Sequence, residues 1–305
     1  MFGGSFKHVG ARARVTAGRQ ARPEAAPEER LFSLYLPAPP PGALRLVTYN
    51  IHSCVGVDRR YDPARVAAVL QAIDADIACL QEVYCRRVGE RQLDQAAYLG
   101  RMTGCRVITG TGVRDHRRRF RNAILTRLPV LAARSIDLTI TGHEPRGAID
   151  LDLLFGERML RVIATHFGLS AAERRLQTNC LIAALGQPTA DRRPPDAVLL
   201  MGDLNEWRGR SGGIGALDRR LGPAVAPRTF PSWMPVLPLD RIYADGPAVL
   251  RGVQAYRSPV ARLASDHLPL VGELSLGVAV EPRREPPQPP RRHILKTVAS
   301  AARHG

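Results

Sequence analysis

The sequence is poor in the features that mark a membrane-spanning, secreted or thiolate-bound protein. No apolar run approaches the ~18 residues a helix needs to cross a bilayer. The N-terminus has no apolar core of secretory type. Its first 22 residues are Arg-rich and free of acids, as organelle-targeting segments are, yet they carry no clear amphipathic stripe. These absences predict a cytoplasmic chain. Five cysteines (Cys54, Cys79, Cys85, Cys105 and Cys180) form no Cys-x-x-Cys pair and leave an odd one over. Reduced thiols are the expectation, not a disulfide framework or a thiolate metal site. No repeat of fixed period is present, and no Ser–His pair stands in a nucleophile elbow. No helix or aromatic platform for reading bases stands out, and no amphipathic anchor beyond a weakly helical C-terminal stretch.

What the chain does have is length, apolar content and positive charge. Its 305 residues, 45% of them hydrophobic, suffice for a well-buried core. Net charge is +16; residues 1–43 hold six basic and three acidic side chains and residues 277–305 six and two, so +9 belongs to the body between them. A basic body favours phosphate-rich partners: nucleic acid, anionic lipid heads or phosphorylated small molecules. Residues 1–43, with a proline cluster at Pro37, Pro39, Pro40 and Pro41, read as a disordered arm, and the Pro/Arg-rich residues 277–305 as a disordered tail.

Between the tails, strands alternate with helices and also follow one another, which predicts a mixed α/β fold over residues 44–276. Strands are expected at Leu44–Ile51, Ile77–Leu80, Cys105–Ile108, 130–140, 147–155, 159–166, Val198–Met201, Leu239–Tyr243 and Leu268–Leu276. Asp62 is an N-cap with Pro63 at the first turn of a helix. Residues Arg91–Met102 read as a helix with Leu93, Ala97 and Leu99 inward. Ser170 caps another, whose exposed face is expected to carry Glu173, Arg174 and Gln177, with Leu176, Cys180, Leu181 and Leu185 inward.

Five strands begin or end in polar residues of one chemical kind: Asn50, Glu82, His166, Asp203 with Asn205, and Asp266 with His267. Side chains alternate with period two, so Asp203 and Asn205 are expected to point the same way. Carboxylates and amides suit magnesium or manganese, which take oxygen ligands, while imidazoles move protons or hold phosphate.

Six short motifs carry a resemblance. They are Thr48-Tyr49-Asn50-Ile51-His52, Leu80-Gln81-Glu82-Val83, Asn122-Ala123-Ile124-Leu125-Thr126, Thr165-His166, Gly202-Asp203-Leu204-Asn205 and Ser265-Asp266-His267. In this order they resemble the endonuclease/exonuclease/phosphatase superfamily. The resemblance implies a four-layer α/β sandwich, two mixed β-sheets packed face to face with helices outside and the site at one end. It implies a magnesium-dependent phosphohydrolase. Glu82 is the expected main metal ligand, with Asn50 beside it and Asp266 near the metal. Asp203 would orient and deprotonate water, Asn205 would bind the scissile phosphate, and His267 would act as acid or base, oriented by Asp240. His166 would serve the phosphate or leaving group. Asn122 and Arg146 are candidate substrate contacts, and His52 stands where some members have an acid.

The bacterial combination Thr165-His166-Phe167-Gly168-Leu169, Glu173-Arg174-Arg175, Gly202 to Trp207 and Thr229-Phe230-Pro231-Ser232 resembles a group without a settled substrate. The basic loop Arg114–Arg121, with Arg117, Arg118 and Arg119, favours a nucleic-acid phosphodiester. A phospholipid or inositol phosphate is the alternative, and a silent phosphate-binding module a third reading. No obligate protein partner is evident.

Overall fold

The computed structural model describes residues 36–88, 91–110, 120–186, 194–207 and 213–276. Arg117, Arg118 and Arg119 lie outside the described residues, as do residues 1–35 and 277–305. Twelve strands among the described residues form two mixed sheets. The first orders β11 (Ala248–Ala255), β12 (Leu270–Leu276), β1 (Ala43–Asn50), β2 (Ile77–Val88), β5 (Phe120–Thr126) and β4 (Arg106–Thr109), with β3 (Arg91–Asp94) paired to β2. The second orders β10 (Asp240–Asp245), β9 (Ala197–Asp203), β8 (Arg158–His166), β7 (Gly147–Phe155) and β6 (Val130–Asp137). Within them β1 runs parallel to β2 and β8 parallel to β9; the other pairs are antiparallel.

Period-two alternation explains the layers. Leu44, Leu46, Ile77, Cys79 and Ile124 from one sheet meet Leu160, Val162, Ala164, Leu199, Met201 and Ile242 from the other, forming the core between the sheets. The opposite parity (Val47, Tyr49, Ile51) packs under α1 (Pro63–Ile73), α2 (Gln95–Thr103) and α5 (Pro259–Ala264). On the other outer face Ile163, Leu200 and Tyr243 pack under α3 (Ala171–Gly186) and α4 (Ile214–Leu221). Strands buried on both faces read as continuous apolar runs, as β8 and β9 do. The expected four-layer sandwich is the fold observed.

Local chemistry sets the boundaries. Asp62 caps α1, its carboxylate accepting the Ala64 and Arg65 N–H groups. The segment expected to be one helix from Arg91 opens instead as β3, paired with the extension of β2, and α2 starts only at Gln95 behind the N-cap Asp94. Leu36 N–H reaches Ala72 O at 3.3 Å, and the Arg45 guanidinium donates to Pro37 O, so residues 36–42 of the expected arm lie against the domain.

The largest departure is α3. Ser170 does cap it, its hydroxyl accepting Glu173 N–H at 3.1 Å. The helix is rotated in part from the expected setting: Leu181 is buried and Leu185 packs against the core as expected, but Glu173, Arg174, Gln177 and Thr178 are buried too, while Leu176 is 45% exposed and Cys180 is exposed. Buried polar side chains need partners, and Glu173, Arg174 and Gln177 have them. Arg174 Nη2 pairs with Glu206 Oε2 at 3.1 Å and Nη1 donates to Leu169 O. Gln177 binds Glu173 and accepts Gly168 N–H at 2.8 Å. A Cβ at Gly168 would lie 1.9 Å from the Glu173 carboxyl carbon, so a larger residue here would have to displace the Glu173 side chain.

Candidate active site

Strand parity delivers most of the site. Residues 44, 46, 160, 162, 164, 199, 201 and 242 face the inter-sheet core, and the same series continue to Asn50 (past Thr48), His166, Asp203 and Asp240. The apolar series turns polar at one end of the sandwich. There Asn50 Nδ2 donates to Glu82 Oε1 at 3.0 Å and to Asp203 Oδ2 at 3.1 Å, across 153 positions of sequence.

Glu82 breaks the parity, because Ile77 and Cys79 would send Gln81 to this face. A bulge between Leu80 and Val83 inserts a residue, and Glu82 takes φ 55°, a costly setting for a non-glycine residue. Gln81 is thereby buried against Thr48, and Glu82 turns to Asn50. Ser53 Oγ donates to Glu82 O at 3.2 Å, and Gln95 supports the turn from both sides, accepting Tyr84 N–H at 2.7 Å and donating to Ser53 O at 2.6 Å. Strand β2 therefore continues through the expected strand end.

Asn205 lies past the end of β9 at φ 50°, so it does not share a strand face with Asp203. Its N–H instead donates to Asp203 Oδ1 at 2.9 Å, closing a local Asx turn. Its amide donates to Phe167 O at 2.9 Å and stands 3.1 Å from His166 Nε2.

Two imidazoles meet one carboxylate oxygen. His166 Nε2 and His267 Nε2 each lie 3.6 Å from Asp203 Oδ2. Behind His267, Nδ1 donates to Asp240 Oδ2 at 2.9 Å, and Thr229 Oγ1 donates to that same oxygen at 2.6 Å. Burial works against its charge, but Asp240 and then Asp203 outweigh it and push the His267 pKa up to about 10. Behind His166, Nδ1 accepts from Arg146 Nη1 at 3.1 Å. Burial, helped by the Arg146 and His267 charges and opposed by Asp203, pushes the His166 pKa down to about 3. A guanidinium and an amide NH2 can only donate, so both nitrogens of the neutral His166 ring face donors, Arg146 at Nδ1 and Asn205 Nδ2 at Nε2.

Asp266 carries less of the site than expected. Its Oδ1 accepts from Ser265 Oγ at 3.3 Å and lies 3.9 Å from His52 Nδ1. Ser265 joins the two strand ends: its hydroxyl donates to Asn50 O at 2.7 Å and accepts His267 N–H at 3.2 Å. His52 Nδ1 faces Val55 O at 3.0 Å, within its own turn. Asn122 donates to Gly147 O at 2.9 Å, joining the two sheets next to Arg146. Arg146 itself is engaged by His166 and Glu144. Thr229 and Ser265 stood in quoted motifs without a role; the hydroxyl spacing gave no period to find them by.

Asp203, Asp240 and His267 place donor atoms within 4.8 Å of one another. We read this trio as a proton relay, because Asp240 Oδ2 already holds His267 and Thr229 in short hydrogen bonds. A hard divalent cation fits better on the Asn50 side, where Glu82 and Asp203 bring two carboxylates to one amide and no sulfur donor is present. Asn50 Oδ1 accepts His52 N–H at 3.0 Å and keeps a second lone pair.

Comparison with known proteins agrees with this geometry. A family model described as the Endonuclease/Exonuclease/phosphatase family matches residues 47–267. The chain belongs to that family. Among its relatives, the Escherichia coli (strain K12) protein YbhP is 27% identical over 255 residues, covering 77% of this chain and 97% of its own. The Beutenbergia cavernae endonuclease/exonuclease/phosphatase structure superposes with a TM-score of 0.59 at 23% identity, covering 78% of this chain and 72% of that one. Truncated Caenorhabditis elegans TDP2 superposes at 0.55 and 17% identity, covering 76% and 97%. These structures share the fold. Endonuclease/exonuclease/phosphatase proteins are hydrolases of phosphate esters, and the polar end of the sandwich is where this member has its candidate machinery.

Proposed function

We propose that the chain hydrolyses phosphodiesters with a divalent cation, magnesium or manganese, by in-line attack of water. The observation that carries the reading is Asp203 Oδ2, which meets Asn50 and two oppositely tuned histidines at one buried point. Asp203, fixed by the Asn205 N–H, is the group that orients water and takes its proton. His267 is kept doubly protonated by Asp240 and donates to the phosphoryl or leaving oxygen. Neutral His166 and the Asn205 amide are the uncharged polar groups beside the phosphate. A divalent cation at Glu82 and Asn50 would offset the negative charge that builds in the transition state.

The test is bis-p-nitrophenyl phosphate hydrolysis with magnesium, with and without chelator. Turnover that needs the metal and is lost in Glu82→Ala is the expected result. Equal turnover by Glu82→Ala, or none by the wild type, overturns the reading. The net charge of +16 favours a nucleic-acid phosphodiester, and plasmid nicking that weakens steeply with salt is the corresponding expectation. Charge alone does not separate nucleic acid from anionic lipid. A diester at a lipid surface is the second reading, favoured by one observation: both tryptophans of the chain are exposed on loops at the site.

A further inference from the structure

The loops that carry the site also carry exposed apolar side chains. Trp207 (44% exposed) follows Asn205 by two residues, and Leu169 (68%) follows His166 by three. Both gather about Arg174, whose guanidinium lies 5.2 Å from the Trp207 ring and donates to Leu169 O. Across the mouth, Trp233 (61%) and Met234 (53%) form the tip of a tight turn, closed where Val236 and Leu237 N–H groups both meet Phe230 O at 2.8 Å. That turn is rooted in the site: the Phe230 ring lies 4.9 Å from His267, and Thr229 holds Asp240. Arg262 donates to Trp233 O at 3.1 Å, and its neighbour Leu263 accepts the Val57 N–H, which extends the apolar surface to Leu263 and Val57. One apolar lip thus stands on the loops after His166 and Asp203 and a second on the turn behind His267 and Asp240, and together they hold the only tryptophans in the sequence.

Exposed apolar side chains gathered at one place mark an interaction site. Charge and side-chain type select the occupant. Exposed Arg59, Arg228 and Arg257 stand on segments beside the second lip, on a chain of net charge +16, so the occupant is anionic. A single nucleic-acid strand would be met by flat rings on which bases stack. Here Trp207 and Trp233 are the flat rings, but most of the exposed apolar side chains, Leu169, Met234, Leu263 and Val57, are aliphatic and offer no stacking plane. Indole at the water boundary, aliphatic tips beyond it and arginine beside it are the composition of a surface that enters a lipid interface. No described helix is long and apolar enough to cross a membrane, so attachment is from one side.

We propose that the catalytic end of this protein docks on an anionic lipid bilayer, the two lips entering the head-group region with the mouth against it. The proposal rests on the phosphodiesterase reading for the meaning of the mouth, but binding and turnover are measured apart. Intrinsic tryptophan emission reports docking directly, since Trp207 and Trp233 are the only indoles.

With vesicles of phosphatidylcholine containing about one-third phosphatidylglycerol, emission should shift to the blue and the protein should co-sediment. Vesicles of phosphatidylcholine alone should bind much less. The double variant Trp233→Ser, Met234→Ser should bind the anionic vesicles at least about tenfold more weakly and keep wild-type turnover of bis-p-nitrophenyl phosphate. No emission shift with anionic vesicles, or equal vesicle binding by the variant, overturns the docking proposal. So does a shift with single-stranded oligothymidylate and none with vesicles, which would assign the lips to bases. Vesicle binding without metal-dependent turnover of the small diester would sink the catalytic reading and leave the docking surface standing.

Discussion

His166 and His267 approach Asp203 Oδ2 at the same distance, 3.6 Å, and both are almost wholly buried, yet one is driven down to about 3 and the other up to about 10. The shared carboxylate cannot be the cause of the difference. What differs is the group behind each ring: Arg146 against His166 Nδ1, and Asp240 against His267 Nδ1. A cation at the rear nitrogen favours an uncharged ring, and a carboxylate there a charged one. The site thus obtains two chemically distinct imidazoles from one residue type by choosing their rear partners.

The most damaging change is therefore expected at Asp240. In Asp240→Asn the amide still fits between Thr229 and His267 but no longer holds the charge. Activity toward the small diester should fall by about 10²- to 10⁴-fold, the range lost with a general acid, and the alkaline limb of the pH–rate profile should move to lower pH. A variant that loses activity with an unmoved limb would show that Asp240 only places the ring. Arg146→Met attacks the other side and should cost less, about tenfold. Burial remains the larger cause on His166, so its pKa should rise only part of the way toward 6.5, as a ¹⁵N-edited titration would read. No rise at all would remove the guanidinium from the explanation.

The two rings also make opposite contributions to stability. His267, with its folded pKa raised, stabilises fully below the unfolded value near 6.5, and this is lost as pH rises toward about 10. His166, with its folded pKa lowered, is neutral in the fold; below about 6.5 the unfolded chain takes up a proton that the folded one refuses, and stability falls toward pH 3. Each limb should have a slope of at most about 1.4 kcal/mol per pH unit from these groups. Denaturant melts across pH 5–9 should show the alkaline slope flattened in His267→Gln and the acid slope unchanged. Equal flattening of both limbs would mean the rings titrate as one.

The polar end of the sandwich follows from strand parity, which is a rigid rule: Leu160, Val162 and Ala164 commit His166 to the same face, as Leu199 and Met201 commit Asp203. Glu82 was reached through its motif and not through parity, since the bulge that turns it inward leaves no periodic trace. Asn205 was assigned by parity and belongs instead to a turn held by its own N–H. Thr229 and Ser265 act through single hydroxyls whose partners lie 11 and 215 residues away. In α3 the apolar stripe held for Leu181 and Leu185 but failed for Leu176 and Cys180, because hydrophobic periodicity assumes that polar side chains seek water. Here Glu173, Arg174 and Gln177 find better-placed partners inside, in the loops that follow His166 and Asp203.

That inversion separates the supports of the two rings and yields the smallest expected effect. The His267 side is tied down by Thr229 and Ser265, the His166 side by the inward polar face of α3 through Gly168. If the polar face points in, the apolar residue Leu176 faces solvent and holds up nothing. Leu176→Ser should then change stability by no more than about 0.5 kcal/mol, as exposed substitutions do, with turnover unchanged. Had Leu176 been in the core, as its spacing implied, losing its isobutyl group would cost about 2–5 kcal/mol. A denaturant midpoint displaced on that larger scale would turn the helix back to its apolar setting and take from His166 the support that distinguishes it from His267.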